Sequence, residues 1–284
     1  MKAAKTWALV LMGGGARGLA HVGVIRVLER VGLAPDIVAG ASMGGLVGGL
    51  YAAGFSATRM TEMISGLELE AAVGGSGRPL LRKPRNLFEY ILLADTKNRL
   101  FTRIGIDKED AVEAYLRRCV GDVRIEDLPV RFLCNAVDLV SGREIVFTTG
   151  KLYRALRATM SLPVVFEPVR RGRMILMDGG ILNSAPVEAA RTAGAEVTVL
   201  VDIHRPLKRM PREKLKSTFQ LVQRTVDVAT AASFTERGRH ADFVLRVPVD
   251  QGVLQFSKPR PIVARGERAA EAGLEALRKA VGAR

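Results

Sequence analysis

The chain has 284 residues, 48% hydrophobic and 25% charged, which excludes a disordered chain and leaves room for one large domain or two small ones around a sizeable core. Lys and Arg number 43 against 29 Asp and Glu, a net charge of +14 that suits anionic lipid, nucleic acid or acidic substrates as well as a plain solvated surface; only 5% of residues are aromatic and no stacking pattern accompanies the basic stretches, which argues against a specific nucleic-acid binder. Two cysteines, Cys119 and Cys134, give no disulfide framework and no metal spacing, and no apolar run reaches membrane-spanning length, so the expected setting is cytoplasmic, with any membrane contact peripheral.

The predicted elements begin with an apolar strand from Trp7 to Met12, a glycine loop at Gly13–Gly15 and an amphipathic helix from Leu19 to Val31. A second short strand, Asp36 to Ala39, runs into the turn Gly40-Ala41-Ser42-Met43-Gly44, and a small-residue helix follows from about Gly45. Residues 65–85 are rich in Gly, Pro and Arg and read as a loop, and 87–101 as part of a cap; together 65–101 form a cap-like insertion. Asp107 to Cys119 is an expected amphipathic helix with Asp107 as its N-cap. Strands are then expected at 130–137 and 144–148, a helix at 151–160, a strand at 173–177 leading into Asp178-Gly179-Gly180, a helix at 186–193 and a strand at 196–201. Residues 205–216 read as a basic surface connector, followed by a helix at 217–237, a strand at 243–247 and a final helix at 261–281. Strands alternating with helices predict an α/β fold with a mostly parallel central sheet covered on both faces, in one domain whose core spans about 7–202.

Three segments at strand ends carry chemistry, and strand ends are where open α/β sheets gather their sites. Gly40-Ala41-Ser42-Met43-Gly44 matches G-x-S-x-G between strand and helix, a sharp turn that exposes the serine hydroxyl and needs glycines around it. Gly13-Gly14-Gly15-Ala16-Arg17-Gly18 reads as an oxyanion hole, as a dinucleotide-binding turn through Gly13, Gly15 and Gly18, or as a plain tight turn. The dinucleotide reading wants a carboxylate at the end of the second strand, but Asp36 begins that strand, and the reading leaves the serine turn unexplained. Asp178 before two glycines reads as a turn former, or as a base if the other two segments meet it.

Three histidines are candidates for a triad. His21 sits on an apolar helix and reads as a packed residue, whereas Ser42, Asp178 and His204 follow the chain order of an α/β-hydrolase triad. That fold, however, places several strands before its nucleophile, and only two fit before Ser42. A Ser42–Asp178 dyad is the better account. It requires burial to raise the basicity of an aspartate whose ordinary pKa is about 3.9.

Taken together, these residues resemble the patatin-like phospholipases, relatives of the plant lipase patatin and of cytosolic phospholipase A2. The ordered match comprises the three segments above, Ala158-Thr159-Met160-Ser161-Leu162-Pro163, Phe166-Glu167-Pro168, and Asn183 with Pro186. Thr159 stands where that family often has serine. The resemblance implies a three-layer α/β/α fold, Ser42 as nucleophile and Asp178 as base, an oxyanion hole at Gly13, Gly14 and Gly15, and supporting roles for Arg17, Gly40, Gly44, Gly179 and Gly180. It implies no metal and no cofactor. The substrate it implies is a fatty-acyl ester, with phospholipid or lysophospholipid favoured and an anionic membrane surface as a candidate partner; the oligomeric state is left open. Arg17 is expected to steady the glycine loop, with a lipid phosphate as a further ligand. The region after Arg205 matches weakly and is assigned no chemistry. The competing functions are a non-catalytic lipid-binding protein on the same fold and a nucleotide-dependent oxidoreductase.

Overall fold

The computed structural model describes residues 5–63 and 109–283, apart from 164, 208, 218–219, 223, 226, 229–230, 232–239, 254–255 and 257–258. The cap expected at 65–101 and the N-cap expected at Asp107 lie outside the described residues.

The chain starts with β1 (Trp7–Leu11), a 3-10 turn at Gly15–Leu19, α1 (Ala20–Arg30), β2 (Ile37–Gly40) and α2 (Ser42–Ala52). After the segment outside the description come α3 (Glu109–Val120), β3 (Arg131–Asp138), β4 (Arg143–Phe147), α4 (Leu152–Thr159), β5 (Val169–Arg171) and β6 (Met174–Asp178). It continues with α5 (Val187–Thr192), β7 (Val197–Asp202), β8 (Phe243–Arg246) and α6 (Pro259–Val281). The described residues from 220 to 231 are helical, within the helix expected at 217–237. Two expectations shift. The serine-turn helix begins at Ser42, not Gly45, and an unexpected strand, β5, precedes β6. Val169-Arg170-Arg171 gives little strand signal because two of its three residues are exposed arginines.

The eight strands form one sheet in the order β5-β6-β3-β2-β1-β7-β8, with β4 paired to β3. β1, β2, β3, β7 and β8 pair in parallel, while β4, β5 and β6 add an antiparallel corner. The central strands are buried on both faces: all five residues of β1 and all six of β7 are inaccessible, which is why both read as nearly unbroken apolar runs. α1 follows β1, α2 follows β2 and α5 lies between β6 and β7 in the chain; α2 packs on β2 and β3 and α5 on β1, β2 and β7, in a three-layer α/β/α arrangement. α6 packs along α1 so closely that a Cβ on Gly266 would fall 1.8 Å from the carbonyl oxygen of Ala20. Arg26–Glu267 and Arg30–Glu271 ion pairs border the same contact at 3.3 and 2.7 Å.

One detail of register positions the site. Cys134 in β3 is paired with Gly40 of β2 and with Phe147 of β4, so β2 and β4 occupy opposite edges of β3. Residues Ala136 to Asp138 pair with both β4 and β6, so β6 shares the edge held by β2. Parallel β2 ends opposite Cys134 and antiparallel β6 ends opposite Ala136. The carboxyl ends of these two strands therefore meet head to head, with Asn135 between them.

Candidate active site

Ser42 leaves the end of β2 at φ 52°, the left-handed region that a serine enters only at a local cost, and no other non-glycine residue among those described has a positive φ. The surrounding glycines make this turn sterically feasible. A Cβ on Gly44 would lie 2.1 Å from the Leu11 carbonyl oxygen, and one on Gly40 would lie 2.5 Å from the Gly44 carbonyl. The backbone N–H of Ser42 donates to Thr159 Oγ1 at 2.9 Å, pinning the turn to the end of α4. Ser42 Oγ is partly accessible and donates to Asp178 Oδ2 at 2.5 Å.

Asp178 comes from the opposing strand end and is 2% exposed. Its second oxygen, Oδ1, accepts from the Gly180 N–H at 2.8 Å, and its own N–H donates to the Ser161 carbonyl at 3.0 Å. Burial raises its pKa to about 6, against the opposing pull of the Ser42 hydroxyl and the Gly180 amide, both of which favour the carboxylate. The shift is in the direction that the dyad reading requires. Thr159 and Ser161 tie the Ala158–Pro163 stretch to both motifs: one accepts from the Ser42 backbone and the other from the Asp178 backbone.

The glycine loop lies against the same turn. The Gly13 N–H donates to the Ser184 carbonyl at 2.8 Å, so this amide is already committed. The Gly14 and Gly15 N–H groups have no hydrogen-bond acceptor among the described residues. Arg17 Nε donates to the Gly14 carbonyl at 3.3 Å, which fits the expected loop-steadying role. Gly15 is at φ 56°, and a Cβ there would lie 2.1 Å from the Val253 carbonyl, which accepts from the Ala16 N–H at 2.7 Å. Behind Asp178, Gly179 sits against Asn135, whose Oδ1 would be 2.1 Å from a Cβ on that glycine. Asn135 and Asn183 both donate through Nδ2 to Glu144 Oε1, at 2.7 and 2.9 Å, a polar cluster beneath the Asp178-Gly179-Gly180 turn.

Neither rival reading of the motifs gains support. Asp36 Oδ2 accepts from the Trp7 N–H at 2.9 Å, so the carboxylate that a dinucleotide turn would use closes the start of β1 instead. His21 is fully buried, its Nε2 lies 2.8 Å from the Met12 carbonyl oxygen, and burial lowers its pKa to about 4. His204 lines the cavity, but the Ser42 hydroxyl reaches Asp178 directly, with no imidazole between them.

Ser42, Asp178, Gly13 to Gly15, Arg17 and Gly180 share one cavity of about 340 Å³. The region from Arg205 onward, to which the sequence assigns no chemistry, forms much of its wall, through Arg205 and Arg209 of the expected connector at 205–216 and through Arg224, Asp227 and Val253 beyond it. Sequence reasoning missed these residues because that stretch carries no motif. The signal available was a dense run of basic residues directly following a strand end.

Comparison with known proteins bears on the family and the fold. A family model described as patatin-like phospholipase matches residues 9–191. Among curated proteins, Lysophospholipase NTE1 of Mycosarcoma maydis is 30% identical over 286 residues, covering 92% of this chain and 14% of that protein. Lysophospholipase nte1 of Emericella nidulans is 34% identical over 195 residues, covering 69% of this chain and 12% of that protein. The chain thus spans only about an eighth of the length of these relatives. Among solved structures, VipD from Legionella pneumophila aligns with a TM-score of 0.53 at 13% identity, covering 97% of this chain and 67% of that one, a likeness of fold alone. With the family match running over well over half of its 284 residues, the chain belongs to the patatin-like phospholipase family.

Proposed function

We propose that the chain is a lipid acyl hydrolase that cleaves fatty-acyl esters through an acyl-Ser42 intermediate, with Asp178 as the proton acceptor. The observation that carries this reading is the 2.5 Å hydrogen bond from Ser42 Oγ to a buried, basic carboxylate at the junction of two strand ends. Lysophospholipid is the favoured substrate, because the curated relatives are named as lysophospholipases.

Asp178 takes the Ser42 proton as Oγ attacks the ester carbonyl carbon. The carbonyl oxygen becomes an oxyanion, and the open N–H groups of Gly14 and Gly15 are its donors; each such donor contributes on the order of a hundred- to a thousand-fold in rate. Of the three glycines in the expected oxyanion hole, Gly13 serves by holding the loop to Ser184. Collapse breaks the C–O bond to the leaving alkoxide, which takes the proton from Asp178 and departs as an alcohol. Water then gives a proton to Asp178 and attacks the acyl carbon. The second collapse returns that proton to Ser42 and releases the fatty acid. Among the described residues no helix is long and apolar enough to cross a membrane.

The test is fluorophosphonate labelling of wild type, Ser42→Ala and Asp178→Asn, with p-nitrophenyl butyrate turnover measured in parallel. Label and turnover are expected in wild type and lost in both variants while all three melt cooperatively. Undiminished turnover in Ser42→Ala would remove the reading. Absent turnover in wild type, with lipid still bound, would favour the lipid-binding alternative.

A further inference from the structure

The cavity beside Ser42 is lined by both apolar and charged side chains. Met12, Leu162, Ile181 and Val253 are part of its apolar lining. The same cavity is lined by four guanidinium groups, Arg17, Arg205, Arg209 and Arg224, and by two carboxylates, Asp178 and Asp227. Even with both carboxylates ionised, four positive charges against two leave an excess of two, in a concave site where field lines are focused. The four are not equivalent. Arg17 is tied to the Gly14 carbonyl. Arg224, like Arg17 and Arg205, lies close enough to Asp227 to favour its ionised form, against the burial that raises its pKa. Arg205, half-buried, and Arg209, exposed at the rim, make no ion pair within 4 Å with any described carboxylate. Arg205 also sits near enough to Arg17 to disfavour its charge. An anion placed among these guanidinium groups would relieve that mutual repulsion.

We propose that Arg205 and Arg209 bind the phosphate of a glycerophospholipid headgroup and so make this enzyme prefer phosphate-bearing acyl esters to neutral ones. This rests on Ser42 being the ester nucleophile. A guanidinium fork matches phosphate oxygens in pairs, whereas a neutral glycerol offers such a fork no anionic acceptor. The mixed lining also suits a single-chain phospholipid, which has both an apolar acyl chain and an anionic headgroup to place. Both residues lie in the basic 205–216 stretch, outside the motifs that carry the family resemblance.

The experiment has two arms. In the first, kcat/KM is measured for a lysophosphatidylglycerol and a monoacylglycerol of the same acyl chain, each in the same neutral detergent micelle. The ratio is expected to fall about tenfold in the double variant Arg205→Gln/Arg209→Gln, and to recover most of that in Arg205→Lys/Arg209→Lys, which keeps the charge. An unchanged ratio in the glutamine variant overturns the proposal. In the second arm, glycerol 3-phosphate and inorganic phosphate are titrated calorimetrically into wild type and into each double variant, after thermal melts establish that all are folded. Glycerol 3-phosphate binding that is lost in the glutamine variant supports the site, even if wild type turns over no ester, in which case the hydrolase reading fails separately. No binding to wild type, or equal binding to the glutamine variant, overturns the proposal. Inorganic phosphate binding more tightly than glycerol 3-phosphate overturns the headgroup assignment.

Discussion

Asp178→Asn separates catalysis from stability at one atom. The folded protein holds the Asp178 proton with a pKa of about 6, against an ordinary value of 3.8. A raised carboxylate pKa means the ionised form is penalised by folding, so the penalty is absent below the unfolded value, grows as pH rises between the two, and is complete above about 6. A shift of roughly two pH units corresponds to about 3 kcal/mol at pH 8, with roughly half of that reached at pH 5. Asparagine removes the charge while keeping the shape. Its Oδ1 can still accept from Gly180, and its amide can donate to a Ser42 hydroxyl that has rotated to accept. The variant is therefore expected to be inactive yet more stable than wild type, with a melting temperature higher by about 5–10 °C at pH 8 and a smaller gap at pH 5. Calorimetric melts of both proteins from pH 5 to 8 check this. A gap that does not widen with pH, or a variant that melts below wild type at pH 8, would refute the account of Asp178 as a carboxylate kept basic by burial.

Wild-type kcat/KM on a soluble ester is expected to rise with pH through an apparent pKa near 6, as Asp178 ionises, and a profile flat from pH 5 to 8 would contradict this. Thr159→Val leaves the Ser42 N–H without its acceptor, which costs about 1–3 kcal/mol in stability and loosens the φ 52° turn; turnover should fall at least tenfold, whereas Thr159→Ser should retain most of it. Gly15→Ala places a Cβ 2.1 Å from the Val253 carbonyl at a left-handed backbone position, so ester turnover should drop by a hundred-fold or more while the parallel sheet survives by circular dichroism. His204→Ala should keep turnover within an order of magnitude of wild type, because the Ser42 proton reaches Asp178 directly; a loss of a thousand-fold would restore a triad.

The parallel half of the fold was legible because buried strands such as Trp7–Leu11 and Val197–Asp202 are unbroken or nearly unbroken apolar runs between glycine or polar breaks. The antiparallel corner was less so. β5 is two exposed arginines and a valine, and its pairing depends on β6 being present. The contact between Ser42 and Asp178 could be suspected from motif order, but head-to-head placement on one edge of β3 is a matter of register that no local pattern encodes. Gly13 shows the limit from the other side: three consecutive glycines look alike in sequence, yet the Ser184 carbonyl takes one amide and leaves the other two. The arginines after residue 204 were visible as charge and invisible as a wall, because nothing local says that a connector folds back over a strand end.

The head-to-head junction of β2 and β6 also constrains when this protein can act. Its hydrogen bond joins residues 136 positions apart, one from the parallel half and one from the corner built later in the chain. Closing so long a loop is slow, and contacts of this range form after local helices and neighbouring strands. A partly folded chain can therefore carry a correctly turned Ser42 with no Asp178 beside it. If Ser42 and Asp178 act as proposed, the appearance of ester turnover during refolding would mark the docking of the two halves, not the first collapse of the core.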